Sequence, residues 1–316
     1  MHTQITNIAT IGGGTGHYAL LRALMKVPAV SIASIVSVTD NGKSSGELRD
    51  ELGVLPPGDC LKVLLAMTGL DPDYARELLL HRFEEGRFRG HTNGNLLLSK
   101  HAEQRGFMSA IEAMRMLLCV EHTVLPVSLN TKLHINATLS DDSELSGEHD
   151  IDMYRGDTPI RNVRLNHAHD GMYPPVFNAI RRSDFVIVSP GSLHTSLLPV
   201  LKTHGIGAAF HETNATRVFV CNTMTQKGDT HGMCPHAMTV ILEDVMHCPF
   251  DLVLCDNADI PTRVLLRYAQ QNSFPMRCNE GCSFDELFMH MPLSHSDELV
   301  RHNFALLASA LEKILT

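Results

Sequence analysis

No run of about 18 consecutive apolar residues occurs in the chain, so no membrane-spanning helix is expected. Met1-His2-Thr3-Gln4 leads straight into a strand pattern, without the basic segment and apolar run of a secretion signal. There is no excess of positive charge either. The net charge is −9, and a nucleic-acid backbone as the main partner would need a positive field to displace its counterions. Neither an internal repeat nor a low-complexity or Pro/Ser-rich linker is visible, which predicts a single α/β domain over residues 1–316. Several catalytic signatures are also missing. Without G-x-S-x-G there is no hydrolase elbow. Gly42-Lys43-Ser44 is not a Walker A loop, because Ser37 stands where that motif requires a glycine. The glycine run at 12–16 is not G-x-G-x-x-G, and Asp40 follows Gly12 by 28 residues where about 20 would suit a ribose contact, which disfavours an NAD dehydrogenase.

What is present is a chain of 316 residues, 44% hydrophobic and 19% charged, long enough to bury one large core or two modest ones. Its eight cysteines mostly sit in apolar runs such as Leu252-Val253-Leu254-Cys255, where a thiol packs as a small hydrophobe. That usage fits a reducing cytosol, and a cytoplasmic location is expected. Ile5 to Ile11 has the pattern of a buried strand, and a glycine cluster and helical spacing from His17 to Val27 follow it. The unit recurs: Val30 to Val38 ends in Thr39-Asp40-Asn41-Gly42, and Asp184 to Ser189 ends in Pro190-Gly191 before a helix from Ser192 to about His204. Arg217 to Cys221 and Asp251 to Cys255 add further strands. Strands alternating with helices predict a Rossmann-like, doubly wound, mainly parallel sheet. The strand signal vanishes over about 57–119, where Leu61 to Met67, Tyr74 to Phe83, Asn95 to Ala102 and Ala110 to Leu118 predict a helical insertion. Val124 to Leu139 with Val163 to Leu165 reads as an antiparallel or mixed excursion around the turn Ser140-Asp141-Asp142-Ser143.

Gly12-Gly13-Gly14-Thr15-Gly16 places bare N–H groups and a positive helix terminus at one point, a phosphate cradle; the bland alternative is a tight turn. Asp40-Asn41-Gly42-Lys43-Ser44-Ser45-Gly46 joins a carboxylate, an ammonium, two hydroxyls and two glycines. Its N–H groups suit an anion nest, Lys43 supplies charge, and Asp40 suits a divalent cation or a hydroxyl; otherwise it is an exposed turn. His91, in Gly90-His91-Thr92-Asn93-Gly94-Asn95, is a candidate base or phosphate donor, or a helix-capping residue. Ser192 follows Gly191 as an N-cap or a phosphate ligand. Asn222, Thr225 and Gln226 offer amides and a hydroxyl to a sugar or a base. His231, Cys234 and His236 lack a fourth ligand at defined spacing, so no zinc is expected there or at Cys278 with Cys282.

In this order the loops resemble the bacterial gluconeogenesis factor family (YvcK-like), which shares a fold with 2-phospho-L-lactate transferase (CofD-like). The resemblance covers nearly the whole chain. It is carried by Gly12 to Gly16, Ser44-Ser45-Gly46 with Leu48-Arg49, Leu55-Pro56-Pro57-Gly58-Asp59, Gly90-His91 with Gly94-Asn95-Leu96, Pro190-Gly191-Ser192-Leu193 with Thr195-Ser196, and Cys221-Asn222 with Met224-Thr225-Gln226. The Ser-Ser-Gly, Leu-Pro-Pro-Gly-Asp and Met-Thr-Gln segments favour the gluconeogenesis factor branch. The resemblance implies a cytosolic protein that binds UDP-sugars such as UDP-N-acetylglucosamine, forms a homodimer, works with a protein partner, and acts in growth on gluconeogenic carbon and in cell shape. It also points to Tyr268 and Arg301 as ligand residues. The chain departs from the family at Asn41, where a second acid is usual, at Lys43 for glycine, at His194 for tyrosine and at Asp229 for glutamate.

Two functions follow. One is a nucleotide-sugar-binding regulator without turnover, requiring no cofactor. The other is a transferase moving a phosphorylated group from a nucleoside diphosphate donor to an alcohol, with Asp40 or His91 as base and Mg²⁺ on the phosphates. The glycine loop, Ser44-Ser45-Gly46 and Gly191-Ser192 are expected to converge on one cleft. Lys43 is expected to replace the metal, making Mg²⁺ dependence weak.

Overall fold

In the computed structural model, which describes residues 4–167, 171–278, 286–296 and 298–315 and the main chain but not the side chain of Lys43, the first element is β1 (Thr6–Gly12). Ile8, Ala9, Thr10 and Ile11 are all buried because both faces of this strand are covered. Full burial of one isoleucine contributes about 1.5–3 kcal/mol. β2 (Val30–Val36) and β3 (Thr123–Pro126) are added in parallel on one side of β1. On the other side come β7 (Phe185–Val188), β8 (Thr216–Val220), β9 (Leu252–Asp256) and β10 (Phe288–Met291), also parallel. The seven-stranded order is β10-β9-β8-β7-β1-β2-β3, a Rossmann-like sheet. Alternate side chains feed two cores. Ile8, Ile32 and Val36 pack with Leu20, Leu61 and Leu64 on one face, while Ile11, Ile35 and Val188 pack with Leu197, Phe210 and Met238 on the other.

α1 (Gly14–Leu24) begins inside the glycine run, three residues before the expected His17. Between β2 and β3 lie α2 (Lys43–Leu52), α3 (Gly58–Ala66), α4 (Pro72–Leu80), α5 (Asn93–Arg105) and α6 (Phe107–Leu117). α4 starts where Asp71 accepts the Tyr74 N–H at 2.8 Å and Pro72 supplies a pre-set first φ. It stops at Leu80 and not at Phe83, because Arg82 bridges to Thr92 as extended chain.

Two expectations need correction. Val124 does not start an excursion, since Thr123–Pro126 is the edge strand of the main sheet. The separate sheet is antiparallel, with β4 (Ile135–Leu139) between β5 (Glu144–Ser146) and β6 (Ile160–Leu165), and α7 (Glu148–Met153) follows β5. Sequence pattern could not separate an edge strand from the sheet that follows it eight residues later. The helix after Ser192 opens as a π-helical turn, Leu193–Leu197, and continues only over Leu198–Leu201. Pro199 has no N–H to give the Thr195 carbonyl, which favours the widened turn.

Candidate functional site

β1 and β7 are neighbours although the chain first winds outward from β1 to β3 and only then returns, so a crevice opens beyond their carboxyl ends. The glycine run leaves β1 and Pro190-Gly191-Ser192 leaves β7 into this crevice. α1 has no side-chain cap, so its first-turn N–H groups depend on something outside the helix. Glycine is needed at 16 because a Cβ there would lie 2.1 Å from the Pro190 carbonyl oxygen, and at 13 because one would lie 2.7 Å from Asp59 Oδ2. Behind the loop His17 is buried, with Nε2 2.9 Å from Thr10 Oγ1 and 3.2 Å from Ser34 Oγ. Burial lowers its pKa to about 4, so the ring is neutral at pH 7.

Two cavities meet at the loop. The smaller, about 320 Å³, is lined by Asp40, Asp59, Glu148 and Asp152, with Lys62 as its one cation among the described residues. The larger groove, about 800 Å³, carries Lys62, Arg76 and Arg301 against Asp73, and has Tyr18 and Phe304 in its wall. Thr15, Gly16, Lys62, Gly191, Ser192 and Gln226 line both. Lys62 Nζ is 3.0 Å from Asp59 Oδ1, and mainly that charge holds its pKa above the usual lysine range despite burial. Burial first, and then the Asp59 charge, raise the Asp40 pKa. Burial, followed by the charges of Asp40, Asp152 and Asp59, raises that of Glu148 to about 8.

The sequence-derived candidates divide between lining and scaffold. Gly13, Gly14, Thr15, Gly16, Asp40, Gly191, Ser192, Gln226, Asn222 and Arg301 line one or both cavities. Gly12 lies below them with its carbonyl taken by the Ser37 N–H at 3.0 Å. Of the described side chains in the loop 40–46, Asp40 lines the smaller cavity and the others line neither. Ser44 is buried beneath, where its Oγ accepts from Asn95 Nδ2 at 3.0 Å and contacts His91 Nδ1 at 3.1 Å. Ser45 hydrogen-bonds Asp40, and Gly46 packs so closely that a Cβ would lie 2.3 Å from the Asn41 oxygen. The other nitrogen of His91 faces Glu47 Oε2 at 3.3 Å, so the ring braces α2 against α5 and lines neither cavity. Lys43 opens α2, and its side chain is outside the described residues, as is Cys282.

Asn41 Oδ1 accepts the His149 N–H at 2.6 Å, fixing the start of the helix that brings Glu148 and Asp152 into the cleft. Asn222 grips the Gly191 peptide from both sides, accepting its N–H at 2.8 Å and donating to its carbonyl at 2.9 Å. The Gly191 N–H is therefore spent within the protein. Ser192 caps the turn that follows, accepting the Thr195 N–H at 3.3 Å and donating to Asp229 at 3.0 Å. Thr225 Oγ1 accepts the Phe274 N–H at 2.9 Å and lines neither cavity.

Tyr268 stands behind Arg301. Its hydroxyl oxygen accepts the Val300 N–H at 3.0 Å, holding the hairpin of β11 (Ser294–His295) and β12 (Arg301–His302) that carries Arg301 into the groove. Tyr268→Phe is expected to speed amide exchange at Val300 and Arg301 and to weaken anion binding by about threefold, the cost of one neutral hydrogen bond. Hydrogen exchange by mass spectrometry checks it, and protection equal to wild type would place Tyr268 outside this linkage.

Lys62, Arg76, Glu148 and Asp152 escaped the sequence reading, and Asp59 entered it only within Leu55-Pro56-Pro57-Gly58-Asp59, without a role. Asp59 and Lys62 left a signal, an acid and a base three apart at the start of α3. Arg76 resembles any surface charge on an amphipathic helix, and Glu148 reaches the site only through the antiparallel sheet.

The profile of the family described as 2-phospho-L-lactate transferase CofD matches residues 8–290. The gluconeogenesis factor of Bacillus subtilis is 34% identical over 324 residues, 99% of this chain and 99% of that protein. That of Halalkalibacterium halodurans is 34% identical over 319 residues, 96% and 95% of the two chains. A crystal structure of a UPF0052 family protein from Bacillus halodurans superposes with a TM-score of 0.89 at 34% identity, covering 98% of this chain and 99% of that one.

Proposed function

Since this chain belongs to the 2-phospho-L-lactate transferase CofD family and is similar along its whole length to gluconeogenesis factors, we propose that it is a cytosolic nucleotide-sugar-binding regulator of carbon metabolism and cell shape. The observation that carries the reading is the change of sign across the cleft. An uncapped helix N-terminus lies between a cavity of four acidic side chains and a groove of three cations. A diphosphate linked to an uncharged sugar and a nucleoside matches that layout. The phosphates meet the N–H groups and the cations, while Asn222, Thr223 and Gln226 line the groove as partners for hydroxyl and base edges.

Asp40 and Asp59 fit a Mg²⁺ ion, which is commonly held by one or two carboxylates together with substrate phosphates. Among the described residues no three His, Cys, Asp or Glu side chains converge as a metal-holding group, so the ligand's own oxygens would complete the shell. The ion would neutralise phosphate charge beside an otherwise repelling cavity. With the second acid supplied by Asp59 and not by position 41, a contribution from Mg²⁺ is part of the proposal, as are a homodimer and a regulatory protein partner.

The test is thermal stability with UDP-N-acetylglucosamine, with and without Mg²⁺. Stabilisation of about 2.7 kcal/mol is expected at a hundredfold excess over Kd, with the ligand recovered intact after long incubation. No response to any UDP-sugar would overturn the reading. UDP released above a protein-free control would move it to the transferase alternative, in which Asp40 keeps a position at the cleft and His91 does not.

A further inference from the structure

We infer that Arg76 is a diphosphate-binding residue of this cleft, set over the Tyr18 ring so that with Arg301 and Lys62 it takes the anion that the carboxylate-lined cavity repels. The inference deepens the nucleotide-sugar reading and rests on it only for what is attached to the diphosphate.

Charge decides the side on which phosphate lies. Next to the glycine loop, four acidic side chains, of which Glu148 keeps its proton up to about pH 8, face one ammonium among the described residues, and Asp59 already engages that ammonium at 3.0 Å. Across the shared residues, the groove offers Arg76 and Arg301 in addition to Lys62, against the single carboxylate of Asp73. Among the described residues neither guanidinium has a hydrogen-bond or ion-pair partner. Two unpaired guanidiniums in one groove call for an anion with more than one oxygen cluster, because each fork takes a phosphate through two parallel bonds.

Position supports the same assignment. The Arg76 guanidinium carbon is 5.1 Å from the Tyr18 ring centroid. Tyr18 follows Gly14 by four residues on α1, so its Cα stands about 6 Å along the helix from the uncapped N-terminus, and Thr15 and Gly16 of that first turn line the same groove as Arg76. Stacking orients the fork before the anion arrives, which reduces the side-chain entropy lost on binding. Tyr18 is itself braced edge-on by Phe304, with centroids 6.3 Å apart at 64°. Phe304 begins the C-terminal helix Phe304–Leu315, three residues after Arg301. The aromatic pair that carries Arg76 thus lies in the same groove wall as Arg301. On α4, Ala75 and Leu79 are buried and anchor the helix, while Arg76 is exposed at the groove.

Calorimetry with inorganic pyrophosphate and with UDP-N-acetylglucosamine, at fixed Mg²⁺ and low salt, tests the assignment on wild type, Arg76→Ala and Arg76→Lys. Arg76→Ala is expected to weaken both ligands by about tenfold or more, and Arg76→Lys by roughly threefold because charge survives without the fork and the stack. Melting temperatures should match wild type, since the substituted side chain is exposed. If wild type does not bind pyrophosphate, or Arg76→Ala binds it within twofold of wild type, the inference is overturned. Pyrophosphate binding that depends on Arg76, with no binding of the nucleotide sugar, would retain the clamp and remove the nucleotide-sugar reading.

Discussion

Asp229→Ala is expected to destabilise the protein by about 3–5 kcal/mol and to lower its melting temperature by roughly 10 °C. The carboxylate accepts four hydrogen bonds, from Ser192 Oγ at 3.0 Å, the Leu193 and His194 N–H groups at 3.1 Å each, and His194 Nδ1 at 2.8 Å. It thereby caps the π-helical turn that leaves β7, doing from 36 residues downstream what a local cap does elsewhere. Alanine would leave two backbone N–H groups and an imidazole without partners in a buried site. Asn222, which grips Gly191 next to this turn, cannot replace them, because both ends of its amide are engaged. Asp229→Asn should cost less, since it retains an acceptor and loses only the charge. Burial alone would raise the Asp229 pKa, but the bonds from the His194 ring, the His194 N–H and the Leu193 N–H outweigh it and hold the carboxyl below its usual range. A depressed folded pKa means that the stability is present above the unfolded value and is lost as pH falls through the folded one. Wild type should therefore lose stability in acid more steeply than Asp229→Asn below about pH 4. Urea midpoints at pH 3 to 7 measure this. Parallel profiles for the two proteins would show that the carboxylate is not the group that matters.

That cap also shows what the sequence could and could not reveal. The strand-glycine-helix units were legible because they are local: β-branched runs, a break at glycine, then helical spacing at 12–16 and at 190–192. The parallel sheet followed from their alternation. Asn41, Ser44 and His91 were legible as polar loop residues next to those units, yet their partners lie far along the chain, at His149, Asn95 and Glu47. A polar side chain at a loop end looks the same whether it will face a ligand or brace a neighbouring helix. Arg76 and Glu148 were invisible for the converse reason, since nothing within their own segments distinguishes them from solvated charge. The sign change across the cleft exists only once the helical insertion and the antiparallel sheet have folded against the two ends of the glycine loop.

In EDTA the protein is expected to lose roughly 2 kcal/mol of stability as pH rises from 6 to 8, through Glu148. Its pKa is raised from 4.5 to about 8 by burial and by the charges of Asp40, Asp152 and Asp59, with Lys62 the opposing charge. For a carboxyl whose folded pKa exceeds its unfolded one, the favourable contribution is that of the proton. It is complete below the unfolded value and disappears as pH rises through the folded value, at up to about 1.4 kcal/mol per pH unit. Asp40, whose pKa is raised by burial and by Asp59, acts in the same direction. His17 and His302 cannot produce this slope, because burial lowers both to about 4 and leaves them neutral throughout the window. Glu148→Gln removes the titration and keeps the shape, so its profile in EDTA should be nearly flat and it should be the more stable protein at pH 8. In the proposed site, Mg²⁺ would supply the counter-charge that the proton supplies at lower pH. Adding it at pH 8 should restore wild-type stability and should change Glu148→Gln less. Chemical denaturation at pH 6, 7, 8 and 9, with and without the metal, measures all four cases. A wild-type profile as flat as that of Glu148→Gln would mean that Glu148 is solvated and ionised throughout. A slope shared by both proteins would assign the proton to Asp40, the other carboxyl at this face of the glycine loop whose pKa is raised.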